Sequence, residues 1–234
     1  MDIFSLEFLS ALITIVFIDL ILAGDNAIVI GLAARNLPKN QQKGAIIWGT
    51  VGAVGIRALA TVLVVYLLDI PWLLLAGGIL LLWIAYKLLV DENDHGDIKA
   101  GNTLWASVRT IIIADAAMGL DNVIAVAGAA HGDYRLVILG LIISIPIVVW
   151  GSTLFIKVIN RFPWIVYLGS GVLAYTAAKM ITHEPKLETF FDENPVIRWS
   201  FLLLMIVIII VGGLWKNASR AKQAPTTEKS RETH

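Results

Sequence analysis

Seven stretches of this chain are apolar for 20 residues or more, and that pattern leaves little freedom in the choice of fold. At a helical rise of about 1.5 Å per residue, roughly 20 residues cross the hydrocarbon core of a bilayer. The stretches lie near residues 7–34, 43–68, 71–90, 104–131, 135–159, 163–182 and 196–215. Hydrophobic residues make up 58% of the 234 and charged residues 15%, with a mean hydropathy of +0.79, well outside the balance of a soluble domain. The expectation is an all-α, polytopic membrane protein with seven transmembrane helices. It forms a single transmembrane domain over residues 1–216, followed by a polar, disordered cytoplasmic tail over 217–234.

The first apolar run is expected to be retained. Asp2 and Glu7 precede it where a signal peptide would carry basic residues, and no good small-x-small cleavage site follows. The formal net charge is zero, so nothing suggests bulk attraction to nucleic acid. Cysteine is absent, which excludes thiolate metal sites, disulfides and cysteine nucleophiles.

Basic residues set the orientation. With the N-terminus outside, the inner side receives Arg35, Lys39, Lys43, Lys87, Lys99, Lys157 and Arg161, and the tail adds Lys216, Arg220, Lys222, Lys229 and Arg231. The outer side keeps only Arg135, Lys179, Lys186 and Arg198. The expected topology is therefore N-out and C-in.

Within this apolar background one acidic signature occurs twice, as DLILAGDN from Asp19 to Asn26 and as DAAMGLDN from Asp115 to Asn122. An aspartate at the centre of a spanning helix costs roughly 2.5–3.5 kcal/mol, so four of them in two matched settings point to a binding site or pathway. A second echo accompanies the first. PWLLLAGGILLLWIAYK from Pro71 and PWIVYLGSGVLAYTAAK from Pro163 share Pro-Trp, Gly77/Gly169, Leu81/Leu173, Ala85/Ala177 and Lys87/Lys179. The chain thus reads as two three-helix repeats, 7–90 and 104–182, joined by a linker at 91–103 and followed by a seventh helix at 196–215. An odd number of spans per copy inverts the second copy. A pseudo-two-fold axis in the membrane plane would then bring the two acidic motifs together at the midplane, a recurring plan of secondary transporters.

On a regular helix, Asp19 and Asn26 share a face, with Asp25 beside it; Asp115, Asn122 and Asp121 repeat the arrangement, and Met118 falls on the stripe between them. Gly24 and Gly119 next to the second acids serve either a local opening of the helix or close packing. Arg57 is the basic residue placed deep in a spanning segment, a counter-ion for the pathway. One guanidinium against four carboxylates leaves a formal −3 if all ionise, which calls for bound protons, a bound cation or their exchange. Carboxylate and carboxamide oxygens suit Mg²⁺, Ca²⁺ and Mn²⁺, and the Met118 thioether favours Mn²⁺ within that group unless it serves only core packing. No catalytic residues or resident cofactor are expected, and the metal enters as transported substrate.

Lesser candidates complete the reading. His131, Asp133, His183 and Glu184 at the outer ends form either a metal vestibule or solvated loops. His95 lies among Asp91, Glu92, Asp94 and Asp97 in the inner linker, where acids attract cations or are merely solvated. Thr14, Thr50 and Thr61 line a path or bond back to their own helices. Pro146 should kink or unwind the fifth helix, and GTVGAVG from Gly49 should loosen the second.

With these motifs, Asp25-Asn26 and Asp121-Asn122 with upstream Asp19 and Asp115, the chain resembles the TerC family of integral membrane proteins, related to the LysE superfamily of exporters. The resemblance extends from the first acidic helix through the sixth. It implies outward transport of Mn²⁺ across the inner or plasma membrane by a compact member of the family, ahead of Mg²⁺ or Ca²⁺, with roles in metal homeostasis and in supplying metal to exported enzymes. Proton exchange through the acids is the expected coupling, since no P-loop for ATP is apparent. The lipid bilayer and a metal cation are the expected partners, with a homo-oligomer and contact with the secretion machinery both compatible with the sequence. Two other classes compete. One is a non-transporting partner of the secretion machinery that assists metal loading of exported proteins. The other is an intramembrane aspartyl protease, which would want single aspartates in a GxGD-like context without asparagine neighbours.

Overall fold

The computed structural model describes residues 5–63, 67, 70–90, 103–130 and 133–223. These residues are overwhelmingly helical, with no strand among them. The long helices are α1 (Leu6–Ala34), α2 (Lys39–Val62), α3 (Leu73–Val90), α4 (Leu104–Ala130), α5 (Tyr134–Arg161) and α6 (Ile165–Thr182), followed by the short α7 (Glu188–Glu193) and the long α8 (Pro195–Gln223). Among the described residues α2, α3, α5, α6 and α8 are long and apolar enough to cross a bilayer, and α1 makes a sixth when its two parts count as one span. The fourth expected span, α4, is a helix of 27 residues carrying Arg109, Asp115 and Asp121, and it stands outside that set.

Local chemistry starts these helices where the backbone amides would otherwise lack partners. Ser5 Oγ accepts from the Phe8 amide at 3.1 Å, and Thr103 Oγ1 from that of Ala106 at 3.2 Å. Asp133 Oδ1 accepts from the Arg135 amide at 3.0 Å to begin α5, and Pro195 opens α8, where its missing N–H costs nothing. The start of α3 is held from afar. Glu184, buried at the end of α6, accepts from the Trp72 amide at 3.0 Å and from the Leu75 amide at 3.3 Å. The carboxylate lies at the positive end of the helix dipole, and it helps to fix Trp72 in the left-handed conformation at φ 66°.

The helices interleave. α1 packs chiefly on α5, α2 on α4, and α3 on α6, while α1 and α4 lie against each other and α8 covers α3 and α6. Consecutive helices α1 and α2 touch little, as do α4 and α5. Small residues permit these approaches. A Cβ at Gly78 would meet the Ala177 carbonyl oxygen at 2.7 Å, and one at Gly169 would meet Ile28 at 3.0 Å. Of the three glycines in the GTVGAVG stretch of α2, two serve close packing and Gly55 has nothing within 4 Å of a Cβ. A Cβ at Gly49 or Gly52 would strike Ile111 at 2.7 Å or Ile112 at 2.5 Å, so they admit α4 to close contact.

Two other expectations shift. α5 passes through Pro146 as a continuous helix, and the sharp bend falls in α1, whose Leu6–Asp19 and Gly24–Ala34 parts meet at 47°. The last helix does not stop at Lys216. It continues to Gln223 because its end is docked, with a Cβ at Gly213 only 2.3 Å from Leu89 Cδ2 and Asn217 Nδ2 donating to the Leu89 carbonyl at 3.4 Å. Residues 217–223 are thus helical; 224–234, like most of the linker 91–103, lie outside the described residues.

The outer surface is apolar. All eight tryptophans are exposed, together with Leu6, Phe17, Ile142, Leu203 and Val211 among others. Such a surface would drive a soluble protein to aggregate, and it matches hydrocarbon and the aromatic belts of a membrane.

Candidate functional site

The buried stripe of α2 runs through Ala45, Ile46, Gly49, Thr50, Ala53, Arg57 and Thr61, at the three- and four-residue spacing of one helix face. Arg57 therefore enters the protein interior. On α1 the inward row Phe8, Ala11 and Ile15 continues to Asp19, and on α4 the row of Ile111 continues to Asp115, Met118 and Asn122. The contact of α1 with α4, and of both with the α2 layer, brings these rows to one place.

There Arg57 bridges the two acidic motifs. Its Nη1 donates to Asp19 Oδ1 at 2.6 Å, and its Nη2 donates to Asp115 Oδ1. Asp19, Arg57 and Asp115 are 2%, 4% and 5% exposed, so three charges from three helices meet out of contact with solvent. Burial of this kind is expensive, and it is tolerated because each carboxylate faces the guanidinium. Thr61 Oγ1 donates to the Arg57 carbonyl at 2.8 Å, and Gly119 leaves room beside the side chain, where a Cβ would lie 3.8 Å from Arg57 Nε.

The centre has spare capacity. Asp115 Oδ2 and Arg57 Nε are buried with no hydrogen-bond partner among the described residues, and so are Asn26 Oδ1 farther along α1 and Thr50 Oγ1 two turns before Arg57 on α2. Asp25 is half-buried; its Oδ1 accepts from the Asn26 amide at 3.0 Å, and its Oδ2 lies 3.5 Å from Thr176 Oγ1 on α6. Asn122 is buried on α4, and the side chain of Asp121 lies outside the described residues. Met118 is 1% exposed within the apolar cluster that includes Leu81, Ala114 and Leu173, so core packing accounts for its burial. With the guanidinium between the carboxylates, no three acidic or histidine side chains among the described residues are gathered as metal ligands.

Thr176 is the residue that sequence reasoning missed. The aligned echoes contain its signal, since Thr176 occupies the place that Ile84 takes in the first copy, a hydroxyl replacing a methyl-bearing side chain. Gly24 also gains a clearer reading. A Cβ there would meet nothing within 4 Å, so close packing does not explain it, and it opens the second part of the bent α1.

Among the described residues the outer vestibule does not assemble. Asp133 is bound by the Arg135 guanidinium at 2.7 and 3.0 Å, and these hydrogen bonds hold its carboxyl low, at about 2. His183 Nε2 lies 2.8 Å from the Arg198 guanidinium, and Glu184 is occupied at the start of α3. His131, and His95 with the linker acids around it, lie outside the described residues. Thr14 bonds back to the Ser10 carbonyl at 2.8 Å.

The geometry joins comparisons with known proteins. The family model described as "Integral membrane protein TerC family" matches residues 4–221. The chain is 45% identical over 209 residues to the uncharacterized membrane protein YjbE of Bacillus subtilis (strain 168), covering 89% of this chain and 96% of that one. It is 23% identical over 196 residues to the uncharacterized membrane protein YkoY of the same organism, covering 75% of this chain and 60% of that one. With the UPF0053 protein YegH of Escherichia coli (strain K12) it shares 27% identity over 180 residues, 68% of this chain and 34% of that much longer relative. No solved structure matches it. By a family match that runs over nearly its whole length, the chain belongs to the TerC family of integral membrane proteins.

Proposed function

We propose that this protein is a secondary transporter that exports a divalent metal cation from the cytoplasm across the inner or plasma membrane, with Mn²⁺ as substrate and protons as the exchanged ion. The observation that carries the reading is the bridge from Arg57 to Asp19 and Asp115, which ties one carboxylate of each acidic motif to a single buried cation. In this reading the two motifs are halves of one site. Arg57 stands in for substrate when none is bound, and the incoming dication displaces it.

Charge arithmetic favours a dication. Asp19, Asp25 and Asp115 against Arg57 leave a formal −2, which one divalent ion neutralises, and Asp121 supplies a further carboxylate. The unpartnered oxygens of Asn26, Asp115 and Thr50 are hard donors of the kind Mn²⁺, Mg²⁺ and Ca²⁺ take. Met118, a single turn from Asp115, is the proposed source of preference for Mn²⁺, which requires its thioether to leave the apolar cluster when the site loads. Burial of the centre means that loading needs movement, and the 47° bend of α1 beside Gly24 supplies a pliant element between Asp19 and Asp25.

Helix pairing supports the two-repeat arrangement within this proposal, and the distribution of basic residues supports N-out and C-in. Exchanging α1 with α4, α2 with α5 and α3 with α6 converts the α1–α5 contact into α4–α2, and leaves α3–α6 and α1–α4 unchanged. These are the principal contacts the protein makes. A guanidinium between the two nearest acids also suits a cation site better than the protein–acid dyad of a protease, whose carboxyls share one proton.

Reconstituted protein should admit Mn²⁺ to vesicles loaded with a quenchable metal-sensing dye, and Asp25→Asn, Asp115→Asn and Asp121→Asn should each abolish that flux. Undiminished flux in all three variants would remove the acidic centre from the transport path. Absence of flux in the intact protein, together with normal metal loading of secreted enzymes in cells, would favour the non-transporting partner.

A further inference from the structure

Where α1 and α3 end and α4 begins, the three helices enclose a cavity of about 280 Å³ that is separate from the acidic centre. Lys87 and Arg109 both line it, and both are exposed. No acidic residue lines it among the described residues. Lys87 Nζ stands 5.2 Å from the centroid of the Trp83 ring, and Arg109 has neither an ion pair nor a hydrogen bond among the described residues. Two cations converge on one hollow with no counter-charge among the described residues.

Asn36, Ser107 and Thr110 add neutral polar groups, and the rest of the wall is apolar. Leu80, Trp83 and Ile113 border the cavity and are exposed on the outer face of the helices, where hydrocarbon would cover them. The hollow therefore has a cationic end at the helix termini and an apolar flank running toward the middle of the membrane. A dication path would not be lined this way, because two positive side chains at its mouth repel the substrate. A small soluble anion would meet the charges but leave the apolar flank unused.

We propose that this cavity is a binding site for an anionic phospholipid, with the phosphate between Lys87 and Arg109 and an acyl chain along Leu80, Trp83 and Ile113. The guanidinium offers a fork of donors that matches phosphate oxygens, and the ammonium adds a point charge. Basic pockets between spanning helices on the cytoplasmic side are suited to anionic headgroups, and by the distribution of basic residues this is the cytoplasmic end. The site does not depend on the transport reading.

Native mass spectrometry of the full chain tests it, by titrating phosphatidylglycerol against phosphatidylcholine of the same acyl chains. The intact protein should retain phosphatidylglycerol about tenfold more strongly, and the Lys87→Gln/Arg109→Gln variant should bring the two lipids to near parity. The Lys87→Arg/Arg109→Lys variant should keep the preference. Both positions are exposed, so the variants should unfold at the same temperature as the intact protein. An undiminished preference in the neutral variant would overturn the proposal. Displacement of phosphatidylglycerol by millimolar inorganic phosphate would overturn it too, in favour of a soluble anion.

Discussion

Replacing Arg57 by glutamine should leave the carboxylates of Asp19 and Asp115 facing each other in a buried space with no cation between them. Removing one partner of a buried ion pair typically costs roughly 3–5 kcal/mol, chiefly through the charge left behind. Two carboxylates depend on this guanidinium, one at 2.6 Å and both 5% exposed or less, which places the cost toward the upper end of that range. At about 2–4 °C per kcal/mol for a chain of this size, the unfolding midpoint in detergent should fall by about 10 °C or more. Adding Asp19→Asn and Asp115→Asn to Arg57→Gln should recover over half of the loss, since the triple variant buries no net charge there. The coupling would appear as strong non-additivity in a mutant cycle read by intrinsic-fluorescence melting. An Arg57→Gln melt within about 2 °C of the intact protein, or a triple variant no more stable than the single one, would refute the charge-balance argument.

Glu184→Ala should remove two hydrogen bonds and a favourable charge from the start of α3, lowering stability by about 1–2 kcal/mol in the same melting assay, with backbone exchange quickening near Trp72 and Leu75. Gly24→Ala meets no neighbour, so stability should hold or rise by up to about 1 kcal/mol; a fall in Mn²⁺ flux at the same time would mark the bend as a working part, and unchanged flux would remove it from the mechanism. Gly78→Ala, by contrast, pushes a methyl against the Ala177 carbonyl and should cost about 1–3 kcal/mol by parting α3 from α6. Met118→Leu should preserve the melt, and an unaltered preference for Mn²⁺ over Mg²⁺ in that variant would exclude the thioether as a ligand. The Asp133 carboxyl sits below its unfolded value, so its contribution to the start of α5 is complete above about pH 4 and is lost as pH falls toward 2; amide exchange at Arg135 in Asp133→Ala should differ from the intact protein at pH 6 and converge with it in strong acid.

Helices and their inward faces were legible because lipid makes polarity scarce and therefore informative. Arg57 stood out as a basic residue deep in an apolar run, and the regular stripe of α2 carries it inward. The acidic motifs were equally plain. What the sequence hid depends on contacts between distant segments. Glu184 reads as a loop acid until the fold brings it to the Trp72 amide, 112 residues away. The same holds for Gly49 and Gly78, whose neighbours belong to other helices, and for the last turns of α8, whose polar residues look like tail until Asn217 meets Leu89. Proline is the usual breaker of a helix, yet α5 runs through Pro146 without unwinding, and the 47° bend lies in α1 beside Gly24, one of the two glycines where an opening is expected.

The three charges at the centre belong to α1, α2 and α4, and a ribosome delivers those helices in that order. Asp19 must enter the membrane first, at a cost of roughly 2.5–3.5 kcal/mol, and Arg57 on the next helix is the first group able to offset it. A nascent chain ending after α2 therefore already carries a neutral pair, and Asp115 arrives later to a guanidinium that is waiting for it. Arg57 is in this sense an assembly residue as well as a lodger in the finished centre. Glycosylation mapping of chains truncated after α2 should find α1 seated across the membrane, and Arg57→Gln should leave it slipping out.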